Sequence, residues 1–334
     1  MKFSLSSLVR EFKQTPLIKG YFKEDRTRLF FRGIGALTVG YFALKLGFSF
    51  SKYVMRQYIA RNLIDKYGEN SWAVVTGATD EIGRAFCHEL AKEGFNIVLV
   101  ARKKEKLNSF ANELKRINPV IQTKVIVSDF LDAAKPKFFE NLYKELDKLD
   151  ISILINNTGY YLLDNFENMS EDQIKQLIIV NSLSNCLMTR SLITKLSKRK
   201  KKSAIINLSS MFGIRPAPYA SCYGAAKAFN DVLSRGLAKE NPNIDIISLR
   251  PFYVQIRHSV YNPLHFHIIT PSECARNLFE VLGTRTETSA HWKHDLQGWF
   301  VHSLPEFLYL PIIRFMTRRR IVEHEMPHSA LLRP

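Results

Sequence analysis

The stretch that decides the fold is WAVVTGATDEIG, residues 72–83, where a short apolar run leads into a glycine-rich turn and then into a helical pattern. Residues 73–76 predict a strand buried on both faces. A glycine-rich turn between a strand and a helix lets backbone N–H groups and the helix N-terminus hold a pyrophosphate. The residues placed to do so are Gly77, Ile82 and Gly83. Because glycine at such a junction is often only a turn, this interpretation depends on the rest of the chain.

The chain beyond this turn repeats the alternation of strand and helix. Five more short apolar runs rich in β-branched residues predict strands, at 97–100, 125–127, 151–155, 204–208 and 244–249. Longer stretches with helical period lie between them, for example residues 82–93 and 174–196, and TPSE at 270–273 is a capping box that opens a further helix. Buried strands joined by crossover helices predict an α/β fold with a doubly wound parallel sheet of the Rossmann type, in one domain over residues 71–290.

The ends of the next three predicted strands carry residues suited to the rest of a dinucleotide. Folds that bind NAD usually place an acid after the second strand, whereas Arg102 stands here, and arginine suits the 2′-phosphate of NADPH. Without the preceding turn, a solvated basic helix start would explain Arg102 equally well. Asp129 follows the third strand, where the adenine would lie, and Asn157 and Gly159 belong to the turn NNTG at 156–159. The sequence therefore predicts NADPH as the cofactor.

The sharpest chemical pattern is YGAAK, residues 223–227, with Ser210 thirteen residues before its tyrosine. Tyr223 and Lys227 share one face of a helix, one turn apart. A lysine ammonium there favours the phenolate, so we expect the pKa of Tyr223 to fall from about 10 toward neutrality. Tyr223 can then protonate a carbonyl oxygen as hydride reaches its carbon, while Ser210 donates a hydrogen bond to that oxygen. A bare tyrosine–lysine pair is common, but the serine at this offset favours catalysis.

Together these motifs resemble the short-chain dehydrogenase/reductase family over residues 71–290. The shared features are the strand–helix order, TGxxxxxG, NNxG, Asn181 in the following helix, Ser210 and YxxxK. The segments SWAVVTGATD, GALTVGYFALK and LPEFLYL are similar to the branch that contains very-long-chain 3-ketoacyl-CoA reductase and 17-beta-hydroxysteroid dehydrogenase type 12. The resemblance implies that Tyr223 is the general acid and that Lys227 binds the nicotinamide ribose and tunes Tyr223. It also implies that Ser210 orients the substrate carbonyl and that Asn181 holds a water of the proton relay.

Three residues or segments depart from the family pattern. Glu81 stands where the pattern has a glycine, at the point where the backbone approaches the pyrophosphate. A carboxylate about 4 Å from a phosphate costs roughly 4 kcal/mol at an effective dielectric constant near 20, whereas a Glu81 that points to solvent would stabilise the helix N-terminus. Ile256 replaces a threonine that contacts the nicotinamide amide in relatives. The C-terminal residues 331–334 lack the dilysine-type retrieval signal of some relatives.

The segments on either side of the predicted domain have a different character. Within residues 1–70, the apolar stretch 33–51, together with the apolar residues 29–31, is just long enough to cross a bilayer. Arg32 and Lys45 interrupt it, so a helix lying in the membrane interface is the alternative. The basic and apolar residues before it resemble a mitochondrial presequence. Residues 291–334 are rich in aromatic side chains and contain three consecutive arginines at 318–320, which predicts a contact with a membrane or a partner.

The charge of the chain limits its partners. Lysine and arginine number 48 against 31 acids, a formal net charge of +17, and such a surface prefers anionic partners. No nucleic-acid recognition motif accompanies this charge, so we expect lipid or a phosphate-bearing small molecule instead. The basic run at 195–202 is a solvated loop or a patch that contacts a membrane or a partner. The four cysteines have no metal-ligand or disulfide spacing and predict buried free thiols.

Two functions stay open on the sequence. The first is NADPH-dependent reduction of a lipophilic ketone, a 3-ketoacyl-CoA or a keto-steroid, at the membrane of the endoplasmic reticulum. The second is a catalytically weak or inactive relative that serves as an accessory structural subunit of a membrane complex, such as a respiratory complex of the mitochondrial inner membrane. The tetrad of Asn181, Ser210, Tyr223 and Lys227 supports the first function, and Glu81 supports the second. Either one is compatible with a homo-oligomer.

Overall fold

The computed structural model describes residues 25–58, 63–255 and 268–325, and it divides the chain into two compact units, 1–59 and 60–334. Three features of the sequence lie outside the described residues: the presequence-like start, Ile256 and the C-terminal residues 331–334. The second unit therefore begins about ten residues before the boundary expected at residue 71, and this shift has a structural reason given below.

The first unit contains a long helix, α1 (Asp25–Tyr58), which includes the apolar stretch 33–51. Leu37 and Val39, which lie on opposite sides of a helix, are both largely exposed. Among the described helices, the one stretch long and apolar enough to cross a membrane by length and composition is Glu171–Ser197, and 50% of its most apolar window is buried inside the fold. A membrane-spanning role for α1 therefore stays a prediction.

The second unit is built on a parallel sheet of seven strands in the order β3-β2-β1-β4-β5-β6-β7. The strands are β1 (Trp72–Thr76), β2 (Asn96–Ala101), β3 (Thr123–Val127), β4 (Ile151–Asn156), β5 (Ser203–Leu208), β6 (Ile244–Leu249) and β7 (Glu287–Thr288). The order reverses between β1 and β4, so the carboxyl ends of these two strands flank the crevice where doubly wound sheets bind their ligands.

Helices cover both faces of the sheet, as the prediction of a doubly wound α/β fold requires. They are α2 (Leu63–Tyr67), α3 (Glu81–Glu93), α4 (Lys104–Ile117), α5 (Phe138–Leu146), α6 (Glu171–Ile178), α7 (Ser184–Ser197), α8 (Ser221–Glu240), α9 (Pro271–Val281), α10 (Trp292–Ser303) and α11 (Glu306–Glu325). A π-helical turn, Ile179–Leu183, joins α6 to α7, and the predicted capping box is present at the start of α9. The fold class predicted from the sequence is confirmed.

Two apolar layers form the core, one on each face of the sheet. In β1, Ala73 and Val75 belong to one layer and Val74 to the other, which is the alternation expected of a strand buried on both faces. Helix α2 belongs to the first of these layers, because Leu63 and Tyr67 are buried in it. This packing explains why the folded unit begins before β1.

The edge of the sheet at the amino ends of the strands carries the basic run 195–202. Arg199 is paired with Asp150 at 2.7 Å, and Lys202 is paired with Asp245 at 3.2 Å. The Tyr67 hydroxyl also donates a hydrogen bond to Asp245, at 2.9 Å, and so fastens α2 to β6. All four cysteines are free thiols, and two of them, Cys87 and Cys274, are buried; the expectation of burial does not hold for the half-buried Cys186 and Cys222.

Candidate active site

The turn between β1 and α3 has the backbone that a glycine-rich phosphate turn requires. Gly77 has a φ of +65°, a left-handed conformation that side chains other than glycine rarely adopt. A Cβ on Gly83 would overlap the Gly77 carbonyl oxygen, so the first turn of α3 packs directly on the turn that precedes it. Ile82, between Glu81 and Gly83, is half-buried at the same helix end. The structure thus brings together the three residues predicted to lie at a pyrophosphate.

Asp80 fastens this turn to the end of β4, a role that the sequence motifs did not reveal. It is the N-cap of α3, and its Oδ1 accepts a hydrogen bond from the Gly83 N–H at 2.7 Å. The same carboxylate accepts from Asn157 Nδ2 at 3.0 and 3.1 Å. Asn157 is held in turn by Thr76, whose Oγ1 accepts from the Asn157 N–H at 3.0 Å. Two turns that are far apart in the sequence therefore form one rigid wall of the crevice.

Glu81 occupies the first position of α3, beside this wall. Its side chain is half-buried, and within the described residues no hydrogen bond or ion pair fixes its carboxylate. A negative charge at this position stabilises the helix N-terminus, but it competes with any anionic ligand for the same helix dipole.

The ends of β2 and β3 lie next to the same turn. The Ala78 N–H donates to the Val100 carbonyl at 3.2 Å, and the Ser128 N–H donates to the Ala101 carbonyl at 3.0 Å. Arg102 is exposed immediately after β2. Asp129 caps a short helical turn, with its Oδ1 accepting from the Leu131 N–H at 3.0 Å. Arg102 and Asp129 thus stand at the carboxyl edge of the sheet, on the β2 and β3 side of the crevice.

Tyr223 and Lys227 lie one turn apart on α8, and Ser210 is the second residue after the end of β5. Tyr223 and Ser210 share a side-chain hydrogen bond, and Ser210 Oγ also accepts from the Phe212 N–H at 3.3 Å. Lys227 is buried, and its Nζ lies 5.6 Å from the centroid of the Tyr223 ring. The three side chains predicted to act together are therefore neighbours in space, although they come from two different elements.

The pKa values of this pair correct one expectation. Burial raises the pKa of Tyr223 to about 12, and the hydrogen bond from Ser210 offsets only part of that rise. Burial also lowers the pKa of Lys227 to about 8. The expected fall of the Tyr223 pKa toward neutrality is wrong for this structure, because desolvation of the hydroxyl dominates and the Lys227 ammonium donates to the Leu208 carbonyl at 3.3 Å. Tyr223 is consequently a protonated phenol, in the form that donates a proton.

Asn181 lies in the π-helical turn between α6 and α7 and is completely buried. Its Nδ2 donates to the Tyr160 carbonyl at 2.8 Å, and its Oδ1 accepts from the Tyr160 N–H at 3.3 Å. A Cβ on Gly159 would lie 3.1 Å from Asn181 Oδ1 and 3.4 Å from Lys227 Nζ. The NNTG turn therefore fits against both the asparagine and the lysine, and the absence of a side chain at Gly159 permits that approach.

Asn230 is a member of this cluster that sequence reasoning missed. Its Nδ2 donates to the main-chain carbonyl of Asn181 at 2.8 Å and to that of Leu208 at 3.1 Å. Its position three residues after Lys227, on the buried face of α8, is the signal that could have identified it. Asn230 thus joins the π-helical turn to the end of β5.

Two aromatic rings contact the ring of Tyr223. Tyr161 and Phe212 meet the Tyr223 ring edge to face, with centroid distances of 5.0 and 6.4 Å. The segment 211–220, between Ser210 and α8, is fastened to the C-terminal helices: the Arg215 guanidinium stacks on the Tyr309 ring at 3.8 Å. A polar proton donor in an apolar surround suits the reduction of a ketone with an apolar body.

Comparison with known proteins identifies this arrangement. A family model described as short chain dehydrogenase matches residues 71–260. The very-long-chain 3-oxoacyl-CoA reductase of Homo sapiens is 31% identical over 295 residues, which cover 85% of this chain and 92% of that protein. The inactive hydroxysteroid dehydrogenase-like protein 1 of Homo sapiens is 35% identical over 257 residues, 75% of this chain and 76% of that protein. A solved 7beta-hydroxysteroid dehydrogenase superposes with a TM-score of 0.68 at 26% identity, covering 75% of this chain and 99% of its own.

Proposed function

Because the chain belongs to the short-chain dehydrogenase family, in the branch of the very-long-chain 3-oxoacyl-CoA reductases, we propose that it reduces the ketone of a lipophilic substrate with hydride from NADPH. The substrate we favour is a 3-ketoacyl-CoA, with a keto-steroid as the variant. The observation that carries the proposal is the convergence of Asn181, Ser210, Tyr223 and Lys227 at the carboxyl edge of the sheet.

The residues near the crevice fit a nicotinamide dinucleotide. Left-handed Gly77 and the close packing of Gly83 leave the backbone of the first turn accessible to a pyrophosphate. Arg102, exposed after β2 where no acid is present, would pair with a 2′-phosphate. The full set that would hold NADPH is Gly77, Ile82, Gly83, Arg102, Asp129, Asn157, Gly159, Tyr223 and Lys227. When bound, NADPH supplies the hydride.

The proton chemistry follows from Tyr223 and Lys227, the two titratable groups of the candidate site on α8. With its pKa raised to about 12, Tyr223 stays protonated at neutral pH and donates its proton to the carbonyl oxygen of the substrate. Ser210 donates a hydrogen bond to that oxygen as negative charge develops on it. Lys227, with a pKa lowered to about 8, is mostly charged at neutral pH and favours the phenolate that Tyr223 becomes. Asn181 holds the π-helical turn against the NNTG turn and, through it, the position of Lys227.

The location that we propose is a membrane, because the substrate is lipophilic and the exposed apolar side chains of α1 are unsuited to water. By resemblance to the same branch, that membrane is the endoplasmic reticulum; the mitochondrial inner membrane is the alternative. Partners of the chain, beyond substrate and membrane, stay a prediction: a homo-oligomer or the subunits of a membrane complex.

The test is turnover by the purified full-length chain in lipid nanodiscs. We expect NADPH-dependent reduction of a long-chain 3-ketoacyl-CoA, and we expect Tyr223→Phe to lower turnover at least about a hundredfold, because it removes the proton donor. Tyr161→Phe is the matched control, since it removes a hydroxyl from the neighbouring ring without removing the donor. Full activity in Tyr223→Phe would refute the proposed mechanism.

A second candidate function is a catalytically weak or inactive subunit of a membrane assembly. The observations that favour it are Glu81 at the first position of α3 and the 35% identity to a relative named as inactive. NADPH titration of the same preparation separates the two candidates. Absence of NADPH binding at millimolar concentration, together with absence of turnover, would favour the structural role.

A further inference from the structure

The C-terminal helix α11 has one face that is fixed to the fold. Tyr309 and Ile313 are buried in an apolar cluster with Leu163, Ala217 and Ala220, which lie on the segments beside the candidate active site. The Tyr309 hydroxyl donates to the Pro216 carbonyl at 2.9 Å. These contacts determine which side of α11 faces the protein and which side faces outward.

The outward side of the same helix is also apolar. Four large apolar side chains lie on it, with exposed fractions of 73% for Phe307, 45% for Leu308, 46% for Ile312 and 70% for Phe315. Their spacing of one, five and eight residues from the first places them within one arc of the helix. A helix that is apolar on its free face as well as on its packed face has a covering partner, because an exposed apolar patch of this kind is unusual on a soluble monomer.

The charges at the border of this outer face indicate the chemistry of the partner. Arg314 and Arg318 are exposed on the edge of the apolar arc, and the sequence continues with Arg319 and Arg320. Aromatic residues flanked by arginines are suited to the boundary between lipid headgroups and acyl chains. A two-fold pairing of two copies through this face would set the arginines of each copy near those of the other, which is unfavourable.

We propose that the outer face of α11, formed by Phe307, Leu308, Ile312 and Phe315, lies on an anionic lipid membrane, with Arg314 and Arg318 at the phosphates. This contact is separate from α1 and does not depend on the reductase activity. Because the inner face of α11 packs on the segments that flank Ser210 and Tyr223, the contact places a lipid surface beside the site that a lipophilic ketone must reach.

The test uses the full-length chain reconstituted in vesicles that contain a nitroxide-labelled lipid. The two half-buried cysteines are first replaced, by Cys186→Ser and Cys222→Ser. In that chain, Phe315→Cys introduces a cysteine at position 315, which is labelled with an environment-sensitive fluorophore. The matched control is Val120→Cys, labelled in the same way, because Val120 is 85% exposed and precedes β3, at the amino ends of the strands, whereas α11 packs on segments that follow the carboxyl ends of β4 and β5. Phe315→Cys and Val120→Cys each replace an exposed side chain, so neither labelled variant is expected to disturb the core.

In vesicles with about 30 mol% phosphatidylserine, we expect at least about threefold stronger quenching at position 315 than at position 120. Adding Arg314→Gln and Arg318→Gln should remove most of that difference, and so should vesicles of phosphatidylcholine alone. Equal quenching at the two positions would overturn the proposal. It would also be overturned if position 315 were shielded from water without lipid quenching, since that result would indicate a protein partner or a second copy.

Discussion

The same substitution, glycine to alanine, is predicted to have opposite effects at two helical positions of this chain. At Gly83, the new Cβ would overlap the Gly77 carbonyl oxygen and lie 2.9 Å from Asn157 Nδ2, which is itself hydrogen-bonded to Asp80. Neither neighbour is the free end of a flexible side chain, so the turn must shift. Overpacking of this kind costs about 1–3 kcal/mol, more than the gain of about 1 kcal/mol that alanine brings to a helix.

At Gly236, in the exposed part of α8, no heavy atom lies within 4 Å of the position of the new Cβ. Gly236→Ala should therefore stabilise the chain by about 0.5–1 kcal/mol. Because 1 kcal/mol corresponds to about 2–4 °C for a domain of this size, far-UV circular dichroism in detergent should resolve a lowered Tm for Gly83→Ala and a raised Tm for Gly236→Ala.

NADPH titration of these two variants completes the experiment. Gly83→Ala should weaken binding at least about tenfold, since the shifted turn is the proposed pyrophosphate site, whereas Gly236→Ala should leave binding unchanged. A Gly83→Ala protein as stable as the wild type, with unchanged affinity, would show that the turn relaxes freely and would refute the reasoning from its geometry.

Three further predictions concern the proposed cofactor site and the pair of Tyr223 and Lys227. Glu81→Gly should tighten NADPH binding by about one to three orders of magnitude if the carboxylate faces the pyrophosphate, and isothermal titration giving less than about a threefold change would show that it points to solvent. Arg102→Asp should reverse or erase a preference for NADPH over NADH, and a wild type that binds both equally would contradict the role given to Arg102. The value of kcat/KM should fall as pH rises through about 8, because Lys227 loses its charge there while Tyr223, with a pKa of about 12, stays protonated. A flat pH profile between about 7 and 10 would exclude a requirement for the Lys227 ammonium.

The sheet was the part of the fold most open to prediction, since strands buried on both faces are continuous apolar runs. Residues 97–100 and 244–249 were predicted as strands and lie within β2 and β6. β7 was missed because its two residues, Glu287 and Thr288, are too few and too polar to form such a run. Helix α2 was assigned to the N-terminal segment because five residues have no period, and only its packing through Leu63 and Tyr67 places it in the folded unit.

The candidate site was predictable where one motif contains both partners, as in the pair of Tyr223 and Lys227. It was not predictable where a hydrogen bond joins distant segments. Asp80 and Asn157 are 77 positions apart, and nothing in either motif indicates that one side chain accepts from the other. The direction of the Tyr223 pKa was wrong for a related reason: sequence spacing gives the distance to Lys227, but desolvation depends on all the segments that cover the hydroxyl.

Burial of Lys227 separates the two candidate functions. Because burial lowers the pKa of Lys227 from 10.5 to about 8, a charged Lys227 opposes folding by roughly 3 kcal/mol at neutral pH. A purely structural subunit has no use for that cost. Lys227→Met, of similar length, should therefore raise the Tm while abolishing turnover, and Leu208 O keeps its hydrogen bond from Asn230. The unfolded chain binds more protons than the folded one between pH about 8 and 10.5. The gain in stability from Lys227→Met should therefore be largest below pH about 8 and disappear by pH about 10.5.

Lys239→Met, on the exposed last turn of α8, is the control and should change neither Tm nor turnover. If Lys227→Met were less stable than the wild type at pH about 7, the lysine would be a structural element of the core, and its burial would no longer favour the enzyme.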